Sequence, residues 1–309
     1  MRKLFACFVM LFVGTLTLRA QVANNTSLVG TVVDSSGGVV VGAQVTGVNV
    51  ATRVSYSGMT NAQGYYSIQF IAPGTYDITV TQSGFEKAVT SGVLVQTNQA
   101  VRTNMTLKAG STSSTVTVSA LNPALPTDSS FLGETFDSKQ VADLPVMGHS
   151  ALDVATVASN VYIGSKTSYT GIPPGEDLEG AGQREIQNSL SLDGVSIMNN
   201  LITTSPARPS TEMISEVQMQ SGNYPAQYGA YLGIHVNMIS KSGTNTLHGE
   251  AYDYVENTAF NAKPFTLLPG KPTPILHWNQ YGFNLGGPVY FPKVYNGAIR
   301  HSFSAPMKS

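Results

Sequence analysis

Apolar and polar residues alternate one for one along much of this chain, and turn chemistry breaks the alternation every few residues. Tyr66, Ile68 and Phe70 alternate with Ser67 and Gln69, and Tyr76, Ile78 and Val80 alternate with Asp77 and Thr79. A period of two puts each apolar set on one face of a strand. The breaks are Asp34-Ser35-Ser36-Gly37-Gly38, Asn61-Ala62-Gln63-Gly64 and Pro73-Gly74, where proline fixes φ and glycine admits positive φ. Seven strands follow over 28–108: Leu28–Val33, Gln44–Val50, Val54–Met59, Tyr65–Phe70, Thr75–Gln82, Val89–Gln96 and Val101–Leu107. Short strands at this spacing predict a seven-stranded β-sandwich, and the chain as a whole reads as mainly β.

Charge excludes two classes of partner. Charged residues make up 11% of the 309 and the formal net charge is -1, against roughly 25% charged in ordinary soluble domains. No field of either sign draws in nucleic acid or an anionic membrane surface. Cys7 is the only cysteine. It lies in residues 1–20, which read as a signal peptide: Arg2 and Lys3 precede an apolar core from Leu4 to Leu18, too short for a spanning helix, with cleavage expected before Gln21. A chain without that segment has no disulfide framework and no thiolate metal site. With no later apolar helix, membrane insertion is expected only through β-strands.

A second patterned region runs from Gln187 to Gly249. Leu190 and Leu192 alternate with serines, Asp193-Gly194 is a tight-turn dipeptide, and Val195–Met198 reads as the return strand. Ile214, Val217 and Met219 mark a third strand, and Ile234, Val236 and Met238 a fourth. Ahead of them, Ser138 is the expected cap of a short helix ended by Pro145, and Ser150 the cap of another through Leu152, Ala155 and Val157.

From Thr246 the texture changes. Leu247–Asn257 reads as an aromatic strand, with Tyr252 and Tyr254 on one face. In Asn279–Leu285, Tyr281, Phe283 and Leu285 alternate with Gln280, Gly282 and Asn284. Apolar-out, polar-in alternation is the pattern of an outer-membrane barrel strand. Ala259–Leu276 is then the outer loop and Gly286-Gly287-Pro288 the tight turn.

These motifs carry two resemblances. Gly30-x-Val32-x-Asp34, Gly42-Ala43-x-Val45, Thr60-x-x-x-Gly64-x-Tyr66, Pro73-Gly74-x-Tyr76 and Gly84-Phe85 resemble the carboxypeptidase-regulatory-like family. The name implies no peptidase, since no His-x-x-Glu pair occurs. Leu192-Asp193-Gly194, Glu216-Val217, Gly222, Tyr228-Gly229 and Asn237-Met238-Ile239-Ser240-Lys241, in that order, resemble the plug of TonB-dependent outer-membrane receptors, nearest the Oar-like subgroup. The resemblance implies a mixed α+β plug over 129–245, with Asp193, Gly194, Glu216, Gly222, Tyr228 and Gly229 as its structural motif. The start of a transmembrane β-barrel follows over 246–309. It implies a receptor in the outer membrane that takes up a ligand by gated, energy-coupled transport. The loops Tyr162–Gln183 and Asn199–Ser210 would face a ligand that sequence does not name, carbohydrate or peptide among the classes.

Residues 109–128 form a Ser/Thr-rich linker. Within it, Thr115, Val116, Thr117 and Val118 resemble the TonB box, the segment that a periplasmic TonB-type energy-coupling protein captures. An uncharged, β-branched run suits strand addition to a partner's sheet edge. A last strand of the sandwich, or plain linker, is the other reading of this run. About 60 positions remain after Gly249, room for two or three strands of ~9–11 residues where a plugged barrel has about 22. The expectation is a receptor fragment cut short in its barrel; a genuine short periplasmic β-sandwich protein, structural or carbohydrate-binding, is the alternative.

Catalysis and metals find no support. Gly148-His149-Ser150-Ala151-Leu152 lacks the second glycine of a nucleophile elbow and the strand before it. Glu176, Asp177 and Glu179 lack calcium-loop spacing. The five histidines show no metal-ligand pairing. The chain is read as a non-enzyme without a cofactor.

Overall fold

The computed structural model describes residues 26–110, 115–119, 132–144, 149–163, 178–184, 187–198, 205, 207–224, 228–229, 231–262, 270, 272–273, 275–291, 295–296 and 302–308. The expected signal peptide lies outside them, as do Glu176, Asp177 and most of both expected ligand-facing loops.

The sandwich is built from β1 (Ser27–Asp34), β2 (Gln44–Asn49), β3 (Ser55–Met59), β4 (Tyr65–Gln69), β5 (Gly74–Thr81), β6 (Lys87–Val95), β7 (Ala100–Arg102) and β8 (Met105–Leu107). One sheet has β1 between β4 and β7, with β8 also on β1. The other runs β3-β2-β5-β6-β9, where β9 is Thr115–Ser119. The seventh expected strand is therefore two. The break lies at Thr103-Asn104, where β1 passes from β7 to β8. Gly30 permits it: a Cβ there would lie 2.1 Å from the Thr103 carbonyl oxygen.

The inward residues of both sheets form one core: Leu28, Val32, Val45, Tyr66, Ile68, Tyr76, Ile78, Val80, Val95 and Leu107 among others. Both buried tyrosines find partners. Tyr66 donates its hydroxyl to the Thr103 carbonyl at 2.6 Å, and Tyr76 to that of Ala72 at 2.7 Å. Burial pushes the Tyr76 phenol up to about 12, against a hydrogen bond from Asn49.

The second unit is a five-stranded mixed sheet. It contains β10 (Leu132–Asp137), β13 (Ser189–Leu192), β14 (Val195–Ser196), β15 (Ile214–Gly222) and β16 (His235–Ser240), in the order β10-β15-β16-β13-β14. A two-stranded ribbon of β11 (Val161–Ile163) and β12 (Leu178–Gly180) lies between β10 and β13 in sequence. Helix α1 (Ser138–Asp143) follows β10. Its cap is Asp137 rather than Ser138. The Asp137 side chain accepts from the Gln140 amide while the Gln140 side chain accepts from the Asp137 amide, a reciprocal capping box. The second expected helix is a 3₁₀ turn, Asp153–Val157, capped by Leu152. Ser150 is buried and bridges to Ser210.

One face of this sheet is apolar. Val217, Met219, Val236 and Met238 pack with Val141 of α1 and with Leu152, Val154 and Ala155. The other face is polar and buried as well: Glu216, Gln218 and Gln220 on β15, with His235 and Asn237 on β16. The sheet is thus covered on both faces.

The last strands are β17 (His248–Asn257), β18 (His277–Pro288), β19 (Tyr290–Phe291), β20 (Tyr295–Asn296) and β21 (Ser302–Lys308). β17-β18-β21 form an open antiparallel sheet, while β19 and β20 pair with each other. Gly286-Gly287-Pro288 is not a turn. It continues β18, paired with Ser302–Ser304 of β21. Its glycines let β18 lie close to Leu247, 3.1 Å from where a Gly287 Cβ would sit. β21 carries Pro306 opposite Asn284, at the outer strand where a missing amide donor is tolerated. No helix among the described residues is long and apolar enough to cross a membrane.

Candidate functional site

Part of the polar face of the mixed sheet is covered by one turn of the sandwich. Thr97, Asn98 and Gln99 join β6 to β7, and Asn98 takes a positive φ of 55°, which asparagine tolerates better than most residues. This bend aims three consecutive residues at the sheet. The Thr97 amide donates to Glu216 Oε1 at 2.9 Å, and Gln218 Nε2 donates back to the Thr97 carbonyl at 2.7 Å. Asn98 Nδ2 donates to Gln218 Oε1 at 3.2 Å and to the Tyr228 hydroxyl at 2.9 Å. Gln99 Nε2 donates to Thr135 Oγ1 at 3.3 Å. Farther along the seam, Asn245 donates its side-chain amide to the Thr52 carbonyl at 2.7 Å.

Beside this seam is a cleft of about 530 Å³. Asn49, Thr52 and Gln96 line it from the sandwich, and Glu216, Lys241 and His248 from the other side. Glu216 is 7% exposed. Burial pushes its carboxyl up to about 7, against hydrogen bonds from Thr97 and with added repulsion from Asp137, its register partner on β10.

Two of the sequence-derived motif residues, Glu216 and Tyr228, meet here through the Thr97-Asn98 turn. Asp193 and Gly194 make the turn between β13 and β14, with φ of 50° and 79°. The Asp193 carboxylate accepts from the Ser240 amide at 2.9 Å and its hydroxyl at 2.8 Å, tying the turn to the end of β16. Gly222 lies at the far end of β15, opposite Leu132, and Gly229 is exposed. Thr115–Val118 stand apart from this group. They belong to β9, which pairs in parallel with Lys87–Ser91 of β6 as the last strand of its sheet.

A second contact escaped the sequence reading. Tyr254 on β17 donates to Glu212 Oε1 at 2.5 Å, and the His149 ring stacks on Tyr254 with centroids 3.6 Å apart. Burial pushes the Glu212 carboxyl up, but hydrogen bonds from Tyr254 and Thr211 together hold it below the usual range. Tyr252 and Ser210 add a contact of 3.3 Å. The inward tyrosines of β17 are thus fastened to the mixed sheet. That Tyr252 and Tyr254 share one face was legible; their partners 42 residues away were not. No group of three or more metal-ligating side chains occurs among the described residues, and Ser150 Oγ is directed at the Pro209 carbonyl, not into a cleft.

A sandwich, a polar-faced mixed sheet and a long antiparallel strand pair thus follow one another along the chain. Residues 27–108 match the carboxypeptidase regulatory-like domain family, and residues 239–300 match the outer membrane beta barrel domain family. Among curated proteins, the chain is 24% identical over 295 residues to the TonB-dependent transporter Oar of Myxococcus xanthus, covering 91% of this chain and 27% of the relative. It is a homologue of that transporter and spans about a quarter of its length. Similar solved structures include the siderophore receptor PirA from Acinetobacter baumannii, 19% identical over 51% of this chain and 22% of that one, with a TM-score of 0.38. The outer membrane transporter YddB from Escherichia coli is 14% identical over 50% of this chain and 24% of that one, also at 0.38. These relatives are transporters and receptors, not enzymes.

Proposed function

We propose that this chain is the sandwich, plug and first barrel strands of a TonB-dependent outer-membrane transporter, exported by a signal peptide at residues 1–20. The mixed sheet would be the plug that gates uptake, and β9 the segment that a periplasmic TonB-type protein captures. One observation carries the reading: the two family matches flank the mixed sheet, and one alignment to the Oar transporter runs over 91% of the chain. Strand chemistry supports it. On β18, Tyr281, Phe283 and Leu285 are exposed, while Gln280 just before them is buried and Gly282 and Asn284 between them are half-buried, the inversion that a strand facing lipid requires.

The coupling step is tested with the purified chain and the C-terminal domain of a TonB-type protein. Strand addition needs free backbone donors, and Val116→Pro removes one and fixes φ. Wild-type binding that falls at least about tenfold in Val116→Pro, a loss of about 1.4 kcal/mol, supports the assignment. Equal binding by both reassigns Thr115–Val118 to a structural strand of the sandwich. Fractionation tests location: enrichment of the chain with outer membranes is expected, and a cytoplasmic chain retaining Met1 would contradict the export reading.

A further inference from the structure

We propose that the contact between the sandwich and the polar face of the mixed sheet is a proton-controlled latch, closed when Glu216 is protonated and loosened when it ionises. The proposal does not depend on the transport reading.

The contact is small, polar and centred on one carboxyl. Its central hydrogen bonds involve Thr97 and Asn98 on one side and Glu216, Gln218 and Tyr228 on the other. Gln218 and Tyr228 do not change charge near neutral pH. Glu216 can, and it lies where ionisation is disfavoured. β10 places Asp137 directly opposite it, a second carboxylate. β16, on its other flank, places uncharged Ile239 opposite it. The sandwich offers only uncharged groups there: Thr97, Gln96 and Asn49. The basic side chains that share the cleft are Lys241, just past β16, and His248, at the start of β17. Neither forms an ion pair or hydrogen bond with Glu216 among those described.

The sign follows from linkage. In the latched state the Glu216 carboxyl titrates near 7, raised from 4.5, chiefly by burial. Unlatching returns it to water and toward its ordinary value. The latched state therefore binds the proton more tightly. Its advantage is complete below about pH 4.5 and is lost as pH rises to about 7, by on the order of a hundredfold in the docking equilibrium.

Hydrogen exchange of the full chain, corrected for intrinsic rates, tests this at pH 5.5 and pH 8.5. The reporters are the Thr97 amide and the Asn245 amide, which donates to the Ala51 carbonyl at a separate point on the seam. In the wild type, protection at both should fall together at the higher pH, while core amides of β5 and β16 keep theirs. Glu216→Gln keeps the acceptor oxygen and removes the titration; its protection should be the same at both pH values. Asp137→Asn retains a helix cap but removes the opposing charge, so its unlatching midpoint should move to lower proton affinity, below that of the wild type. A wild type with no pH response, or a Glu216→Gln chain that keeps the wild-type response, overturns the latch.

Discussion

The two sheet systems of this molecule solve burial in opposite ways. The sandwich core is apolar on both inner faces, and its tyrosine hydroxyls are satisfied from within. The mixed sheet has one such face. On the other it buries three amides, a carboxyl and an imidazole, and takes partners for the carboxyl and Gln218 from a turn of the sandwich. Apolar burial is non-directional and scales with area. Polar burial is conditional: groups released from it regain hydrogen bonds to water, so the net loss is small provided both sides are released together. The sandwich is therefore a unit, whereas the mixed sheet carries a surface suited to being covered and uncovered.

Four substitutions break or sharpen that contrast. The largest effect belongs to the sandwich. Ile78→Ala, at a fully buried position on β5, should cost about 3 kcal/mol. In urea it should lower the midpoint of the sandwich transition while leaving the exchange protection of β15 and β16 in place. Gln218→Ala comes next. It leaves the Thr97 carbonyl unpaired in the seam, a cost of about 2 kcal/mol. Exchange should show the loss as faster opening of Thr97–Gln99, with the sandwich midpoint unchanged; a shift in that midpoint would mean the two units unfold as one. Tyr66→Phe strips the hydroxyl that satisfies Thr103 and should cost about 1 kcal/mol, read in the same sandwich transition.

The smallest effect has the opposite sign. His235 sits among Tyr224, Tyr228 and Tyr231, with ring centroids 4.4, 5.0 and 6.4 Å away. Neither of its nitrogens makes a well-formed hydrogen bond among the described residues. His235→Phe keeps the aromatic contacts and removes two unpaired polar atoms, for a gain of roughly 0.5–1 kcal/mol. Burial holds the imidazole below its usual 6.5, against a weaker pull from the Tyr231 backbone. The unfolded chain thus protonates first as pH falls, and wild-type stability declines below about pH 6.5. Melting temperatures from pH 8 to pH 5 should fall in the wild type and less in His235→Phe; parallel curves would remove His235 from the account.

What could be read from the sequence was what local chemistry fixes. The first six sandwich strands lie within a residue or two of their expected bounds, because Asn61–Gly64 and Pro73-Gly74 set them without help from elsewhere. α1 was displaced by one residue although its signal was present: Asp137 and Gln140 stand at capping-box spacing, and Ser138 drew attention from them. β10 was missed as a sheet member because its partner, β15, lies about 80 residues away in sequence; for β9 a last sandwich strand was one of the open readings, and its partner β6 lies 28 residues back. Gly286-Gly287-Pro288 was misread because its composition marks a turn, while close approach of Leu247 gives its glycines another use. The site was legible in part. Glu216 and Tyr228 stood out by motif, but nothing in their neighbourhood names Thr97 and Asn98 as the groups that cover them.

β9 has a consequence in mechanical terms. It is joined to the sandwich just upstream of Thr115, and beyond Ser119 the chain runs on toward β10. Its pairing with β6 is parallel, with evenly spaced hydrogen bonds from Lys87↔Thr115 to Ser91↔Ser119. Tension directed along the strand loads those rows together, in shear, and passes into the sandwich through the backbone. Tension directed away from the sheet edge peels them singly, beginning at Ser119. The same five residues are a firm anchor against one pull and a zip fastener against another, so the direction of a load on this segment, more than its size, decides whether the sandwich keeps hold of it.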